Sequence, residues 1–279
     1  MKKRYFIPLL LSGIALSMCI SCKKDSVPSS PGQPALSKII KDGALETEFL
    51  YESGKGLVRI NYYDSETGQL SSFNKFDYDT KGLLQSYSAH KASGKITSER
   101  TFLKGSDGKF ISSDLKILTG TDSGKVTFRY KFEYNAEGLI SKYSWNDPIT
   151  DAEEFYRLFY YYPNGNIKRY EYYMALISGT EKALEVNYTP AGKVLPASLT
   201  KYQGYLVNFD FFLFGPEKIQ TTTFDVDYYD AGKFEQVISD RIYNPEGLVI
   251  EQTITTNYIQ PAKAPTVEKT EFVYEYLSM

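Results

Sequence analysis

Beyond residue 22 the chain has no cysteine; the two it carries are Cys19 and Cys22. A domain without thiols builds no disulfide and no cysteine-ligated metal site, so its stability must come from an apolar core. There is one histidine, His90, and one tryptophan, Trp145. With a single histidine, Ser-His-Asp or Cys-His catalysis would depend wholly on that ring, and a zinc site, which usually takes two or more His or Cys ligands, is not expected. His90 lies in "SAHKASGK", at a strand end before a turn, and reads as an exposed turn residue. No phosphate-binding glycine loop or dinucleotide fingerprint occurs, and no cofactor is implied. An excess of positive charge is also missing: 32 basic side chains face 34 acidic ones. Without a basic stripe, nucleic acid is not an expected partner.

The one long apolar run is at the start. "MKKRY" is a positive segment, "FIPLLLSGIALSMCIS" an apolar one and "CKKDSVPSSPGQP" a polar exit. The apolar run is short and its flanks suit cleavage, which is the layout of a secretory signal peptide and not of a membrane span. Its end resembles a bacterial lipobox of the "SCKKD" kind found in Bacteroidota lipoproteins. The resemblance implies cleavage before Cys22 and acylation of that residue, hence a membrane partner reached through the lipid. Acyl chains contribute about 0.8 kcal/mol per buried CH₂, so several make a stable anchor. Lys23 stands where an aspartate would signal inner-membrane retention, so the outer membrane is expected, at its periplasmic face or at the cell surface. Losing Lys2, Lys3 and Arg4 with the leader leaves 29 basic against 34 acidic side chains.

Three regions follow: a signal peptide at 1–21, an acylated cysteine with a Pro/Ser tether at 22–43, and a single domain at 44–279. Residues 23–40 hold four serines and three prolines, a composition that suits a flexible linker. From there the chain changes character. Aromatics rise to 15% of the whole chain, with 25 tyrosines, which favours strands. Gly56, Gly82, Gly108, Gly138, Gly165 and Gly192 are spaced by 26, 26, 30, 27 and 27 residues, and a further glycine turn falls between most of them. That is one hairpin per repeat. After Gly192 the register loosens until Gly232 and Gly247, which read as successive turns at opposite ends.

"FDYDTKGLLQSY" (76–87) and "FEYNAEGLISKY" (132–143) share the frame F-x-Y-x-x-x-G-L-x-x-x-Y. In the first, Asp79 opens a type I turn and Gly82 supplies the left-handed conformation of a G1 bulge; Asn135 and Gly138 do the same in the second. "YPNG", "TPAG" and "NPEG" put proline where its fixed φ fits the turn. The motif therefore reads as a repeated turn and not as a site. Within the strands alternation is clear. Val126, Phe128, Tyr130, Phe132 and Tyr134 share one face, and Thr127, Arg129, Lys131 and Glu133 the other, as expected of a sheet with one wet side. "YLVNFDFFLF" (205–214) loads both faces. The expected fold is all-β: a long antiparallel meander of about 14–17 strands curled into a barrel-like or open rolled sheet. The tyrosine-aspartate repeats resemble those of Rhs-type proteins. Together with the lipobox, they are similar to an uncharacterised Bacteroidota lipoprotein family with a porin-like fold. The resemblance implies a barrel-like meander and carries no activity.

Few groups suggest chemistry. "NDPITDAEE" (146–154) and "FDVDYYD" (224–230) cluster carboxylates suited to calcium, but neither has a calcium-loop spacing, and a solvated loop and a wet strand face are the better readings. Trp145, Tyr160, Tyr162, Tyr170 and Tyr172 gather around one expected hairpin and are the candidate ligand-binding aromatics. Three functions remain: a non-catalytic lipoprotein binding a glycan, peptide or partner protein; a membrane pore; and a glycan-active enzyme using two carboxylates. The first is preferred, and the protein is not expected to be an enzyme. Replacing Cys22 with serine is expected to abolish incorporation of labelled palmitate and release the protein from membranes; labelling that persists would place the lipid elsewhere.

Overall fold

In a computed structural model the described residues are 33–53, 56–120, 123–176, 179–190, 216–224 and 232–277. They form sixteen strands and no helix. The first eight are β1 (Gln33–Lys41), β2 (Ala44–Glu52), β3 (Gly56–Tyr63), β4 (Leu70–Tyr78), β5 (Leu84–Lys91), β6 (Ile96–Lys104), β7 (Phe110–Ile117) and β8 (Val126–Tyr134). The rest are β9 (Ile140–Asn146), β10 (Glu153–Tyr161), β11 (Ile167–Leu176), β12 (Gly179–Pro190), β13 (Pro216–Thr223), β14 (Gly232–Tyr243), β15 (Val249–Gln260) and β16 (Lys263–Leu277). Each strand pairs with its neighbours in sequence, and β1 pairs with β16, so the meander closes into a barrel. The expected all-β meander is thus a closed barrel and not an open roll. Among the described residues no helix is long and apolar enough to cross a membrane.

The sheet starts at Gln33, inside the stretch expected to be tether. Alternation in "PALSKIIK" is interrupted by a bulge between Leu36 and Lys38, which hid the strand, and its partner lies at the other end of the chain. The doubly loaded segment 205–214, Gly192 and residues 225–230 lie outside the described residues.

With an even number of antiparallel strands, every odd-numbered strand starts at the same end, here called the near end. Gln33 and its partner Leu277 lie there. So do the turns with Asp79 and Gly82, Asn135 and Gly138, Gly165, and Gly247; Gly232 opens β14 at the far end. The turn chemistry is visible at Asp79. Its N–H donates to the Leu83 carbonyl and its carbonyl accepts from the Gly82 N–H, both at 2.9 Å. Its carboxylate oxygen Oδ1 accepts from the N–H groups of Lys81 and Leu83. Gly82 sits at φ 73°, where a side chain is strained. Asn135 and Asn244 repeat the bond, accepting from Leu139 and Leu248 at 2.8 Å.

The alternation divides inside from outside. Tyr130 and Phe132 pair with Trp145 and Tyr143 and face inward; Lys131 and Glu133 pair with Ser144 and Lys142 and face outward. A single apolar cluster runs around the inner face, from Leu36 and Phe49 through Phe102, Phe132 and Phe159 to Ile254 and Phe272. Leu36, Ile60 and Leu84 have no exposed surface at all. A round barrel of about sixteen strands encloses an aqueous channel, whereas this inner face is lined largely by apolar and aromatic side chains. The outer wall carries ion pairs such as Arg129–Asp114 at 2.9 Å, Lys142–Glu153 at 2.7 Å and Lys269–Glu251 at 2.8 Å.

A second repeat appears only in three dimensions. Beside each near-end turn the register slips by one residue, as between Asp77 and Tyr78, Glu133 and Tyr134, Tyr160 and Tyr161, and Ile242 and Tyr243. Such a bulge interrupts the ladder and frees a backbone carbonyl. A tyrosine one hairpin later supplies the missing donor. The Tyr134 hydroxyl donates to the Phe110 carbonyl at 3.0 Å, Tyr161 to Ile140 at 2.6 Å and Tyr274 to Val249 at 3.0 Å. Tyr78 and Tyr51 do the same for Leu57 and Leu36. On β6 a lysine replaces the tyrosine, and the Lys104 ammonium donates to Asp79 Oδ2 of the preceding turn at 2.8 Å.

Burial raises the Tyr134 hydroxyl to a pKa of about 12 and pushes Tyr161 and Tyr274 far above the ordinary tyrosine range. A folded pKa above the unfolded value of about 10 stabilises the fold fully below that pH, and the contribution is lost as pH rises through the folded value. In a spectrophotometric titration these tyrosines are expected to stay protonated past pH ~11 and to ionise only as the barrel unfolds. Full ionisation near the ordinary value in a folded protein would refute the buried latches. Tyr161→Phe leaves a carbonyl without its donor and is expected to cost about 1–2 kcal/mol in denaturant unfolding.

Candidate functional site

The candidate aromatics do not form one patch. Trp145, Tyr170 and Tyr172 lie on the inner face, and Tyr160 lies outside. Tyr162, in the near-end turn, donates its hydroxyl to the Tyr188 carbonyl at 3.0 Å. The inner three surround the Arg157 guanidinium, whose carbon is 5.0 Å from the Trp145 ring, 5.3 Å from Tyr172 and 5.7 Å from Tyr170. Arg100 sits nearby on the same face at 2% exposure. It lies 3.9 Å above the Tyr130 ring and donates to Ser113 Oγ at 2.8 Å and to the Tyr143 hydroxyl at 2.7 Å. Ring faces and hydroxyls hold this guanidinium. The cluster lines the inner face, where Trp145, Arg157 and Tyr172 keep partial exposure, so Trp145 does not share the outer wall with Tyr160.

Outside, Tyr160 joins a ladder on β9–β12. Tyr156 and Tyr173 stack at 4.8 Å, and the Lys142 ammonium lies 4.6 Å from the Tyr156 ring centre. Glu171 is at 5% exposure. Its Oε2 accepts from the Tyr160 and Tyr173 hydroxyls at 2.9 and 3.1 Å, and its Oε1 from Lys182 at 2.9 Å. Lys182 also donates to Glu185 at 2.8 Å. Burial raises the Glu171 pKa, and the hydrogen bonds from Lys182, Tyr160 and Tyr173 more than offset it, leaving the group below the ordinary range. Glu185 is lowered too, first by Lys182. A glycosidase pair needs one carboxylic acid held protonated; these two are both kept ionised on a convex wall.

The acidic run at 146–154 closes on itself. Asp147 Oδ1 accepts from the N–H groups of Ile149 and Thr150 and from the Thr150 hydroxyl. Asp151 pairs with Lys131 and Glu153 with Lys142. Residues 64–69 build the same loop, with Asp64 accepting from Glu66, Thr67 and the Thr67 hydroxyl. Asp151 at φ 61° stands where the twin has Gly68 at φ 67°. The likeness of "DSETGQ" and "DPITDA" explains the carboxylates as turn-formers. Among the described residues no group of three or more His, Cys, Asp or Glu could hold a metal ion.

His90 is not the exposed turn residue expected. It is at 7% exposure, because Phe73 covers it on the outer wall with the rings stacked at 4.5 Å and 10°. Its Nδ1 meets the Gly94 carbonyl at 3.1 Å and its Nε2 the Ser88 hydroxyl at 2.8 Å. On the other side of Phe73 lies the Arg59 guanidinium, 3.7 Å from the ring centre. Arg59 Nε donates to Asn61 Oδ1 at 2.6 Å, and Asn61 Nδ2 donates to Glu48 at 2.9 Å. Lys75 is the direct cross-strand partner of Arg59. The two border a groove of about 570 Å³ on the β3–β4 wall, completed toward the near end by Glu52, Asp77, Asp79 and Thr80. Sequence reasoning missed this groove. A signal was present: Phe73 and Phe76 in "FNKF" are three apart and cannot share a strand face.

No family description matches the chain, and no curated protein is similar to it. Solved structures similar to it include a porin-like protein from Bacteroides uniformis, with 11% identity over 86% of this chain and 96% of that one at a TM-score of 0.46. A porin-like protein from Bacteroides vulgatus has 11% identity over 87% and 99% at a TM-score of 0.43. The TcdB2-TccC3 structure has 11% identity over 81% of this chain and 13% of its own at a TM-score of 0.31. At these values the likenesses assign no function; what stands on the chain's own geometry is a closed sixteen-stranded barrel.

Proposed function

We propose that the protein is a non-catalytic binding module of the cell envelope, tethered to the outer membrane through Cys22 and offering its outer wall to a glycan or protein ligand. One observation carries this reading: an apolar and aromatic cluster runs around the inner face, and the outer wall is laced with ion pairs. A membrane pore needs the reverse, an apolar band about 25 Å tall facing lipid around a polar lumen. Here Arg129 and Lys131 occupy the middle of the outer face of β8, and a cation at the bilayer midplane costs about 2–4 kcal/mol. The one histidine is held in an outer-wall stack, and the Glu171–Glu185 pair is held ionised around Lys182. Neither arrangement serves acid–base catalysis.

The chain from residue 25 onward is expected to be soluble and monodisperse without detergent, with no conductance in planar bilayers. A requirement for detergent, or stepwise conductance, would overturn the reading in favour of a pore.

A further inference from the structure

We infer that the groove between β3 and β4 is the ligand site of this wall and that it takes an acidic sugar, with Arg59 and Lys75 receiving a carboxylate. This rests on the glycan form of the binding role proposed above. Three observations lead to it.

The first is a like-charge pair with no direct ion-pair partner. Arg59 and Lys75 are directly opposite each other on neighbouring strands, and like charges so placed destabilise a sheet. Several cations of this wall pair with acids, as at Lys142–Glu153 and Lys182–Glu185. Here no carboxylate lies within ion-pair distance of either cation among the described residues. Two of the acids bordering the groove are committed. Asp79 is held by Lys104 and by its own turn, and Glu52 has a contact of its own. Asp77 borders both cations and Glu48 reaches Arg59 only through Asn61, so the remaining Arg59 N–H groups and the Lys75 ammonium can receive a further carboxylate.

The second is preorganisation. The Arg59 plane is fixed by a column of three groups, His90 on Phe73 on Arg59. Its Nε is fixed by a relay through Asn61 to Glu48, and Asn61 is at 6% exposure. A guanidinium whose stem and Nε are already held loses little freedom when its remaining N–H groups grip a planar carboxylate.

The third is size and shape. A concave site of about 570 Å³ is in the range of small-ligand sites, roughly 300–1,000 Å³. A protein partner would instead need a face of about 800 Å² per side. Thr80 at the groove's edge supplies a hydroxyl for sugar hydroxyls beside the cations, which a bare inorganic anion would not use.

The test is calorimetric titration of the full chain with trigalacturonate, galactotriose and sodium sulfate. Trigalacturonate is expected to bind, and galactotriose and sulfate to bind at least tenfold more weakly. Lys75→Gln, at an exposed position, and Arg59→Gln should each weaken trigalacturonate at least tenfold. Asp77→Asn, which removes the opposing carboxylate, should tighten it, a change that a purely structural role would not produce. Thermal melts confirm that each variant is folded. Binding of galactotriose without preference for the uronate sinks the acidic-sugar assignment and leaves the glycan role standing. Silence toward both sugars and a wider glycan panel sinks both. Sulfate binding as tightly as trigalacturonate, or undiminished binding by the Arg59→Gln/Lys75→Gln double variant, overturns the site.

Discussion

The pairing of β1 with β16 is the constraint on which the rest depends. Eight residue pairs join them, from Gln33 with Leu277 to Lys41 with Thr270. A backbone staple seals the far end: the Asp42 N–H donates to the Lys269 carbonyl, and the Lys269 N–H donates to Asp42 Oδ1, both at 2.8 Å. Without this pairing the sheet would have two exposed edges, each a template for aggregation. With it the sheet of described strands has none. Closure also decides which face is inside, so that each strand's alternation becomes a division between core and solvent. Because the two strands come from opposite ends of the chain, the loop-closure entropy is spent last and the ring is complete only when the whole sheet is.

Closure is compatible with regular hairpins only because the bulges at the near end are stabilised. Each slip in register there frees a carbonyl in a place shielded from water, and an unpaired buried carbonyl costs as much as a lost hydrogen bond. The tyrosine before a turn answers the slip of the hairpin before it, so neighbouring repeats are coupled and not merely adjacent. This gives a physical reason for the tyrosine in the repeated F-x-Y frame beyond cross-strand packing. Lys104 shows that the coupling tolerates other chemistry, since an ammonium on the preceding aspartate fills the same role.

Much of this was legible from residue patterns. Glycine spacing and Asp or Asn at the turn start mark the near-end hairpins, because those turns require a positive φ and a side-chain acceptor. Alternation in "KVTFRYKFEY" assigns the faces of β8. What was not legible depends on partners distant in sequence. β1 looks like linker because its ladder partner is at the other end of the chain. Trp145 looks like a surface aromatic, yet its pairing with Tyr130 and Phe155 turns it inward. Arg100 reads as an ordinary strand cation, yet three neighbouring strands provide the rings and hydroxyls that bury it. The groove at Arg59 and Lys75 escaped for the same reason: neither residue is notable until β3 and β4 are in register.

The near end holds both termini of the sheet and every turn of the tyrosine-coupled series. An antiparallel ring closes only if its strand count is even, so its girth can change only by whole hairpins. One repeat of 26 to 30 residues is such a hairpin, carrying its own turn, its own slip and the tyrosine that answers its neighbour. Duplication or loss of one unit therefore leaves β1 and β16 still facing each other in opposite directions at the same end. The architecture behaves as a belt with evenly spaced holes: its circumference can evolve in steps of two strands while the buckle stays unchanged.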